Sequence, residues 1–497
     1  MIKFLKEYKK LLVIFVALIC VFLMVACAPK PTKLDTPTNL KISSGETLTW
    51  NAVAGADGYF IDINGEEFVA QTNSLDLFEI FTSPRMYNIK ISAYSDAEDK
   101  VLSDWSQVLD YEVTFTPANF TLVEKQLKDG SKYFEISASQ SANFGGKLVI
   151  PSSFSGIDIL SIGSFANCQD ITELFIPDTI QSVSMNAFAG CTNLKRVRWS
   201  PKTPIVDISV FEGCTSLTEM TFPEGVARVA TSVFRGCSAL KSVYLPASVD
   251  RITNLETFVG CDNLESLVVS QDNLVYKSDS NCIIEKSSNK LIAGCKTSVI
   301  PNYVTTIYNA AFLNIPINNI TIPDSVAKID DLAFCDTDLT EVFIPKSVTD
   351  IGLGAFANCS KLTKISVDPQ NEVYKSDGNC IIEKSTNALI MACQSSVIPD
   401  YVTTIKASSF QGIAKDSIVI SASVTKIEKS AFHYCGRLDI FYLGSKDNIT
   451  IEKSEGCSYT LYSYSETEPE INKSGTAYLG NYWRYVDGVI TVWVKEN

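Results

Sequence analysis

A single histidine, His433, stands in a chain of 497 residues. That scarcity excludes His-rich metal sites and every mechanism that needs two imidazoles, the His-Glu-x-x-His metalloproteases among them. Other signatures of chemistry are missing too. There is no Cys-x-x-Cys pair, no Gly-x-Ser-x-Gly elbow and no phosphate-binding loop, so the common redox, hydrolase and nucleotide-binding motifs do not apply. Basic residues are also in deficit, with 42 Lys and Arg against 56 Asp and Glu and a net charge of -14. A surface of that sign repels phosphate backbones, which disfavours a nucleic-acid partner. What is present is ordinary for an ordered protein: 46% hydrophobic and 20% charged residues, with 25 Gly and 18 Pro. The length calls for more than one domain.

The first 26 residues read as an export signal. Lys3, Lys6, Lys9 and Lys10 precede the apolar run Leu11 to Ala26, which ends at Met24-Val25-Ala26-Cys27. Small residues before a cysteine resemble a bacterial lipobox, with Met24 in place of the usual Leu. The resemblance implies cleavage before Cys27 and acylation of its thiol, hence a lipoprotein held at the outer side of a membrane. A retained helix is the alternative, because the apolar stretch is only slightly short of a span. Cleavage leaves 38 basic and 55 acidic residues, a net charge of -17. Residues 27 to 35, with Pro29 and Pro31, read as an extended tether.

From residue 36 to 115 the pattern is short alternating runs bounded by turn residues. Leu48-Thr49-Trp50, Tyr59 to Ile63 and Tyr87 to Ala93 read as strands, and Asn64-Gly65 as a two-residue hairpin turn. The order of Pro37, Trp50, Tyr59, Phe81 and Tyr87 resembles a fibronectin type III domain. The aromatic residues are expected in its core, and with no Arg-Gly-Asp tripeptide the domain reads as a spacer.

The rest of the chain is periodic. Phe165, Phe188, Phe211, Phe234, Phe258, Phe312, Phe334, Phe356, Phe410 and Phe432 recur at intervals of 22 to 24, broken by two of 54. A Pro precedes Phe by eleven residues at Pro177, Pro223, Pro301, Pro323, Pro345 and Pro399. A Cys follows Phe by three at Cys168, Cys191, Cys214, Cys237, Cys261, Cys359 and Cys435. A fixed period near 23 means stacked turns of a solenoid. Each long interval holds the same insert, beginning at Asn273 and again at Asn371, 98 residues later. It reads as a β-hairpin replacing the ordinary turn.

Residues 342 to 362 carry the repeat with few departures: Val-Phe-Ile-Pro-Lys-Ser-Val-Thr-Asp-Ile-Gly-Leu-Gly-Ala-Phe-Ala-Asn-Cys-Ser-Lys-Leu. This resembles the leucine-rich repeat of BspA-like bacterial surface proteins. The expected fold is therefore mainly β: a fibronectin type III sandwich over 36–115, then a leucine-rich repeat β-solenoid with short helical turns and two hairpin inserts over 116–457. A C-terminal cap over 458–497 closes it.

Thirteen cysteines remain after Cys20 and Cys27 are set aside, an odd number that cannot all pair. The column after Phe reads as buried, packed thiols and not as a metal site. Cys282 with Cys295, and Cys380 with Cys393, flank the insert turns and are the candidate disulfide pairs. His433 occupies a variable turn position without an evident partner, and the adjacent Asp330 and Asp331 point to opposite strand faces. No enzyme activity and no cofactor is expected.

A solenoid binds through the outward residues of its strand column. Two residues before Pro or its substitute lie Phe175, Arg198, Thr221, Tyr244, Val268, Thr321, Phe343, Ser366, Val419 and Tyr442. Phe175, Arg198, Tyr244, Phe343 and Tyr442 are the expected binding face, beside a polar strip that includes Glu173, Glu219 and Glu341. Exposed aromatics next to adaptable polar groups suit a protein interface. The family resemblance implies adhesion, with an extracellular or host-surface protein such as a matrix protein as partner. A glycan stacked on the aromatics, or a structural role in the envelope, is the alternative.

Overall fold

The computed structural model describes residues 31–495 apart from 44–46, 78–79, 82–84, 98, 114–115, 254–255 and 473–476. Cys27 lies outside the described residues. The chain divides into two compact units, 1–115 and 116–497.

The first unit has two antiparallel sheets over one core. One sheet has the order Glu66–Ala70, Gly58–Ile63, Met86–Tyr94, Leu109–Glu112, and the other Lys41–Ile42, Thr47–Thr49, Ser74–Asp76. Strand side chains alternate faces, so Tyr87, Ile89, Ile91 and Ala93 all turn inward onto Trp50, Tyr59, Ile61 and Phe81. Asn64 and Gly65 both take positive φ, 55° and 90°, as the two-residue turn between strands requires. Residues expected in the tether are partly built in. Thr32–Lys33 pairs with Lys100–Val101, and Leu34 is buried in the core. Ser103 and Ser106 act as stand-in ladder groups, their hydroxyls accepting from the N–H of Ala93 and Ile91 at 2.8 and 3.0 Å.

In the second unit most ordinary turns contribute two short strands that join parallel ladders, while the segment 317–322 before Pro323 contributes none. Glu219–Thr221, Ser242–Leu245 and Ser266–Val269 pair in register in the first column; Ile205–Val206, Arg228–Val229 and Arg251–Ile252 do so in the second. Between columns the chain turns at Phe. Here the structure departs from expectation, because no α-helix occurs among the described residues; the Phe segments are tight turns. From Phe188 onward each is bracketed by left-handed residues two before and two after Phe, for example Ser209 (φ 54°) and Gly213 (φ 72°) around Phe211. That explains the recurring Gly or Asn before Cys, since these residues tolerate positive φ best.

The rings stack along the solenoid. Phe165, Phe188, Phe211, Phe234 and Phe258 have successive centroids 5.6, 6.0, 6.1 and 6.0 Å apart, with interplanar angles of 8° to 20°. At its start the core is closed by Phe120–Gln126 and Lys132–Ala138, an antiparallel pair that lays Phe120, Leu122 and Phe134 over it. At its end Cys457–Tyr464 extends the first column, Tyr482–Val486 follows it, and Val489–Val492 folds back antiparallel.

The inserts are larger than a hairpin. Tyr276–Asp279, Cys282–Glu285 and Lys290–Ala293 form an antiparallel meander, whose last strand enters the second column beside Thr306–Ile307. Gly294 then takes the Phe position: its N–H donates to Ala311 O, the residue before Phe312, as Phe N–H groups do elsewhere. A Cβ at Gly294 would lie 2.0 Å from Cε1 of Phe312. The neighbouring ring fills that place, which is why the Phe column skips a member there.

Candidate functional site

The outward positions of the first column fall into three groups. Tyr244 is half-buried and sits in register between Thr221 and Val268, both exposed. Phe343 is 50% exposed and pairs laterally with Ser366. Beside them run the polar positions Glu219, Ser242 and Ser266, and Glu341 with Lys364, whose Nζ lies 2.9 Å from the Glu341 carboxylate.

Phe175 was expected on this face and is instead buried. It does point away from the inward Leu174 and Ile176, but the Arg198 guanidinium lies 4.4 Å over its ring. Arg198 is fixed by donation to Ile176 O and to Asp178 Oδ1, both at 3.0 Å. It is therefore a cover for Phe175 and only marginally available to a ligand.

Tyr442 is a correction of a different kind. Val419 pairs with Phe441 and Ile420 with Tyr442, so Tyr442 is inward. Near Gly444 the missing Pro removes the marker for phase, and a one-residue shift reverses every side chain of a strand. Tyr442 is fully buried and its hydroxyl donates to Val424 O at 3.0 Å. The outward residue, Phe441, is itself buried under Tyr462 and Trp483 of the cap, with centroids 5.1 and 5.4 Å away.

The inserts supply residues that sequence patterning passed over. Asn273 is fully buried and makes four hydrogen bonds: Nδ2 donates to Pro246 O and Val249 O at 3.0 and 2.8 Å, and Oδ1 accepts from the N–H of Val275 and Tyr276. Asn371 repeats all four. Tyr276 and Tyr374 are buried too, and their hydroxyls accept from the N–H of Ile252 and Ile351. Their place is structural. At the surface Lys277 lies 4.0 Å over the Tyr303 ring while Tyr303 OH donates to Asp279 at 2.7 Å, and Lys375, Tyr401 and Asp377 repeat the arrangement. Burial and the acceptor carboxylate push both hydroxyls up, so they stay protonated donors. The repetition of the insert was the available signal for these groups.

All thirteen described cysteines are free thiols. In the Phe+3 column the thiols after Cys168 donate to the carbonyl of a preceding Phe: Cys191 to Phe165, Cys214 to Phe188, Cys237 to Phe211, Cys261 to Phe234, Cys359 to Phe334 and Cys435 to Phe410, at 2.9 to 3.3 Å. The column thus satisfies a buried carbonyl as well as filling space. Cys282 and Cys295 reach backbone carbonyls and Thr297, not one another. Burial above all pushes Cys191 and Cys435 up to about 12. A folded value above the unfolded one, about 8.5, makes the column's contribution complete below that pH and loses it as pH rises toward 12. Alkylation of the native protein at pH 8 is expected at Cys168 and Cys457, the partly exposed thiols, with Cys214 and Cys237 reacting only in denaturant. Mass mapping of the label checks this, and fast native labelling of Cys214 would refute the buried ladder. Among the described residues no group of three or more His, Cys, Asp or Glu is placed to hold a metal.

The family model for the BspA type leucine-rich repeat region matches residues 158–287, 283–387 and 381–463, in six copies. The chain belongs to the BspA type leucine-rich repeat family. Its solenoid is similar to several solved structures. A leucine-rich repeat protein of Eubacterium ventriosum is 20% identical, with 71% of this chain and 97% of that one covered and a TM-score of 0.43. A leucine rich cell surface protein of Faecalibacterium prausnitzii is 21% identical over 70% and 95%, with a TM-score of 0.33. The pneumococcal vaccine antigen PcpA is 12% identical over 68% and 96%, with a TM-score of 0.39. No curated protein matches the chain. Within the BspA-type solenoid the expected five-residue face thus reduces to Tyr244 and Phe343, with Arg198 at its margin.

Proposed function

We propose that this BspA-type protein is a lipid-anchored adhesin of the cell surface that binds a protein ligand through the first strand column of its solenoid. The reading rests on one observation above all: Val268 and Phe343 are outward and exposed, and Tyr244 outward and half-buried, whereas Phe175 and Phe441 at the same face are sheathed by Arg198 and by the cap. Large apolar groups among Thr, Ser, Glu and Lys are what an interface core with a polar rim needs. A glycan platform is less well supported, because the rungs beside Tyr244 are Thr221 and Val268 and the rung beside Phe343 is Ser366, which leaves no contiguous aromatic shelf. The N-terminal unit, read as a fibronectin type III spacer, would hold the solenoid away from the membrane. A host matrix protein is the partner class we would screen first.

Tyr244→Ala and Phe343→Ala remove contact area without opening a core cavity. Each is expected to change stability by less than about 0.5 kcal/mol and to weaken ligand binding by about 1 kcal/mol or more. Melting curves and binding isotherms on the same preparations check both, and undiminished binding by the double variant would reject this face. Anchoring is tested separately. Cys27→Ala is expected to release the protein into the medium or leave it uncleaved, as read by metabolic lipid labelling; membrane retention with an uncut N-terminus would favour the retained helix.

A further inference from the structure

The cap ends in an uncharged sheet edge. Val489–Val492 pairs on one side only, with Tyr482–Val486, and lies last in its sheet. Several other edge strands carry charge that discourages association: Glu66 and Glu67 in Glu66–Ala70, Asp110 and Glu112 in Leu109–Glu112, Glu124 and Lys125 in Phe120–Gln126, and a Lys and an Asp in both Tyr276–Asp279 and Tyr374–Asp377; Ser266–Val269 and Ser417–Ile420 are uncharged edges within the solenoid's own first column. From Val489 to Val494 the sequence is Val-Ile-Thr-Val-Trp-Val, with no charge and no proline. Val489 is 64% and Val494 72% exposed.

The backbone is free in a definite phase. Trp493 N–H donates to Tyr482 O at 3.0 Å, so by antiparallel alternation the odd positions 489, 491 and 493 face Tyr482–Val486. Ile490, Val492 and Val494 therefore present N–H and C=O to the open side.

We propose that this edge pairs with the same edge of a second copy, in a two-fold antiparallel register centred on Thr491. The phase permits it: Ile490 meets Val492 of the second copy as a hydrogen-bonded pair, and the two Thr491 residues meet as a non-bonded pair. Charge selects it. Only this centre sets Asp487 against Lys495 of the second copy, twice by symmetry, whereas centring on Ile490 or Val492 sets Lys495 against Tyr485 or Val489. Asp487 is exposed in the turn, and Lys495 has only long contacts at home, 3.8 Å from Glu468 and 5.9 Å from the Tyr478 ring centroid. The same register seats exposed Val489 beside Trp493. A strand pair alone buries less than about 1,200 Å², so a weak dimer is expected in solution, strengthened where copies are concentrated on a membrane.

The full chain in density-matched detergent should show monomer–dimer exchange by sedimentation between roughly 1 and 300 µM, the range of weak interfaces. Asp487→Lys and Lys495→Asp are each expected to weaken dimerisation about tenfold through two symmetric repulsions, and the double variant to restore it. Thr491→Cys should trap a disulfide dimer on mild oxidation, while Ile490→Cys should not, because only position 491 meets itself. A monomer throughout, a double variant no better than the singles, or equal trapping at both positions would overturn the proposal.

Discussion

Replacing Phe188 with Ala is expected to cost about 3 to 5 kcal/mol of stability, the range for a fully buried aromatic truncated to Ala. Phe188 is completely buried, with its ring between those of Phe165 and Phe211 at 5.6 and 6.0 Å. Its carbonyl, which accepts the Cys214 thiol, survives the substitution, so the loss reports the ring and its cavity alone. In a solenoid each turn rests on its neighbours, so the damage should spread to the adjoining turns before the rest unfolds. Chemical denaturation of Phe188→Ala beside Tyr244→Ala checks this directly. A stability loss under about 1 kcal/mol at Phe188 would contradict the stacked core.

Asn371→Ala is the second large effect, about 3 kcal/mol or more, and it arises from polarity. The amide bridges Pro345 O and Val348 O on one turn to the N–H groups of Val373 and Tyr374 on the insert, at 2.7 to 2.9 Å. Ala leaves four backbone groups in a buried setting without their partner, and each such group costs about 1 to 3 kcal/mol before relaxation or water entry offsets part of it. Asn371→Asp refines the test. The carboxylate keeps the acceptor role, but as an ion it is buried against two carbonyl oxygens, which raises its folded pKa above the unfolded value of about 3.9. The variant should therefore be most stable below that pH and lose stability as pH rises through the folded value. Urea melts at pH 3.5 and 7 distinguish this from simple loss of packing, which would be insensitive to pH.

The repeat, the Phe stack, the alternation of inward residues and the absence of catalytic motifs were all legible in the residues, because each depends on spacing along the chain. The binding face was legible only in part. Phe343 was found by phase and is exposed, and Tyr244 was found the same way and is half-buried, but Phe175 shares that phase and is covered by Arg198 from the next turn. Linear phase says which way a side chain points, and it does not say what lies over it. Tyr442 failed for want of a Pro to mark register, and the first strand of each insert was missed because Tyr-Lys-Ser-Asp is a weak strand pattern.

Sequence alone determined that the chain stacks as a solenoid and that the Phe and Cys columns face its core, since a period near 23 repeats those apolar residues at one position of every turn. Tertiary structure alone decided which outward residues stay open, how the thiols and Asn273 and Asn371 satisfy buried carbonyls, and that the cap ends in an uncharged edge. Those outcomes depend on contacts between turns some 23 or more residues apart, where one side chain closes over or hydrogen-bonds to a group that local pattern cannot see.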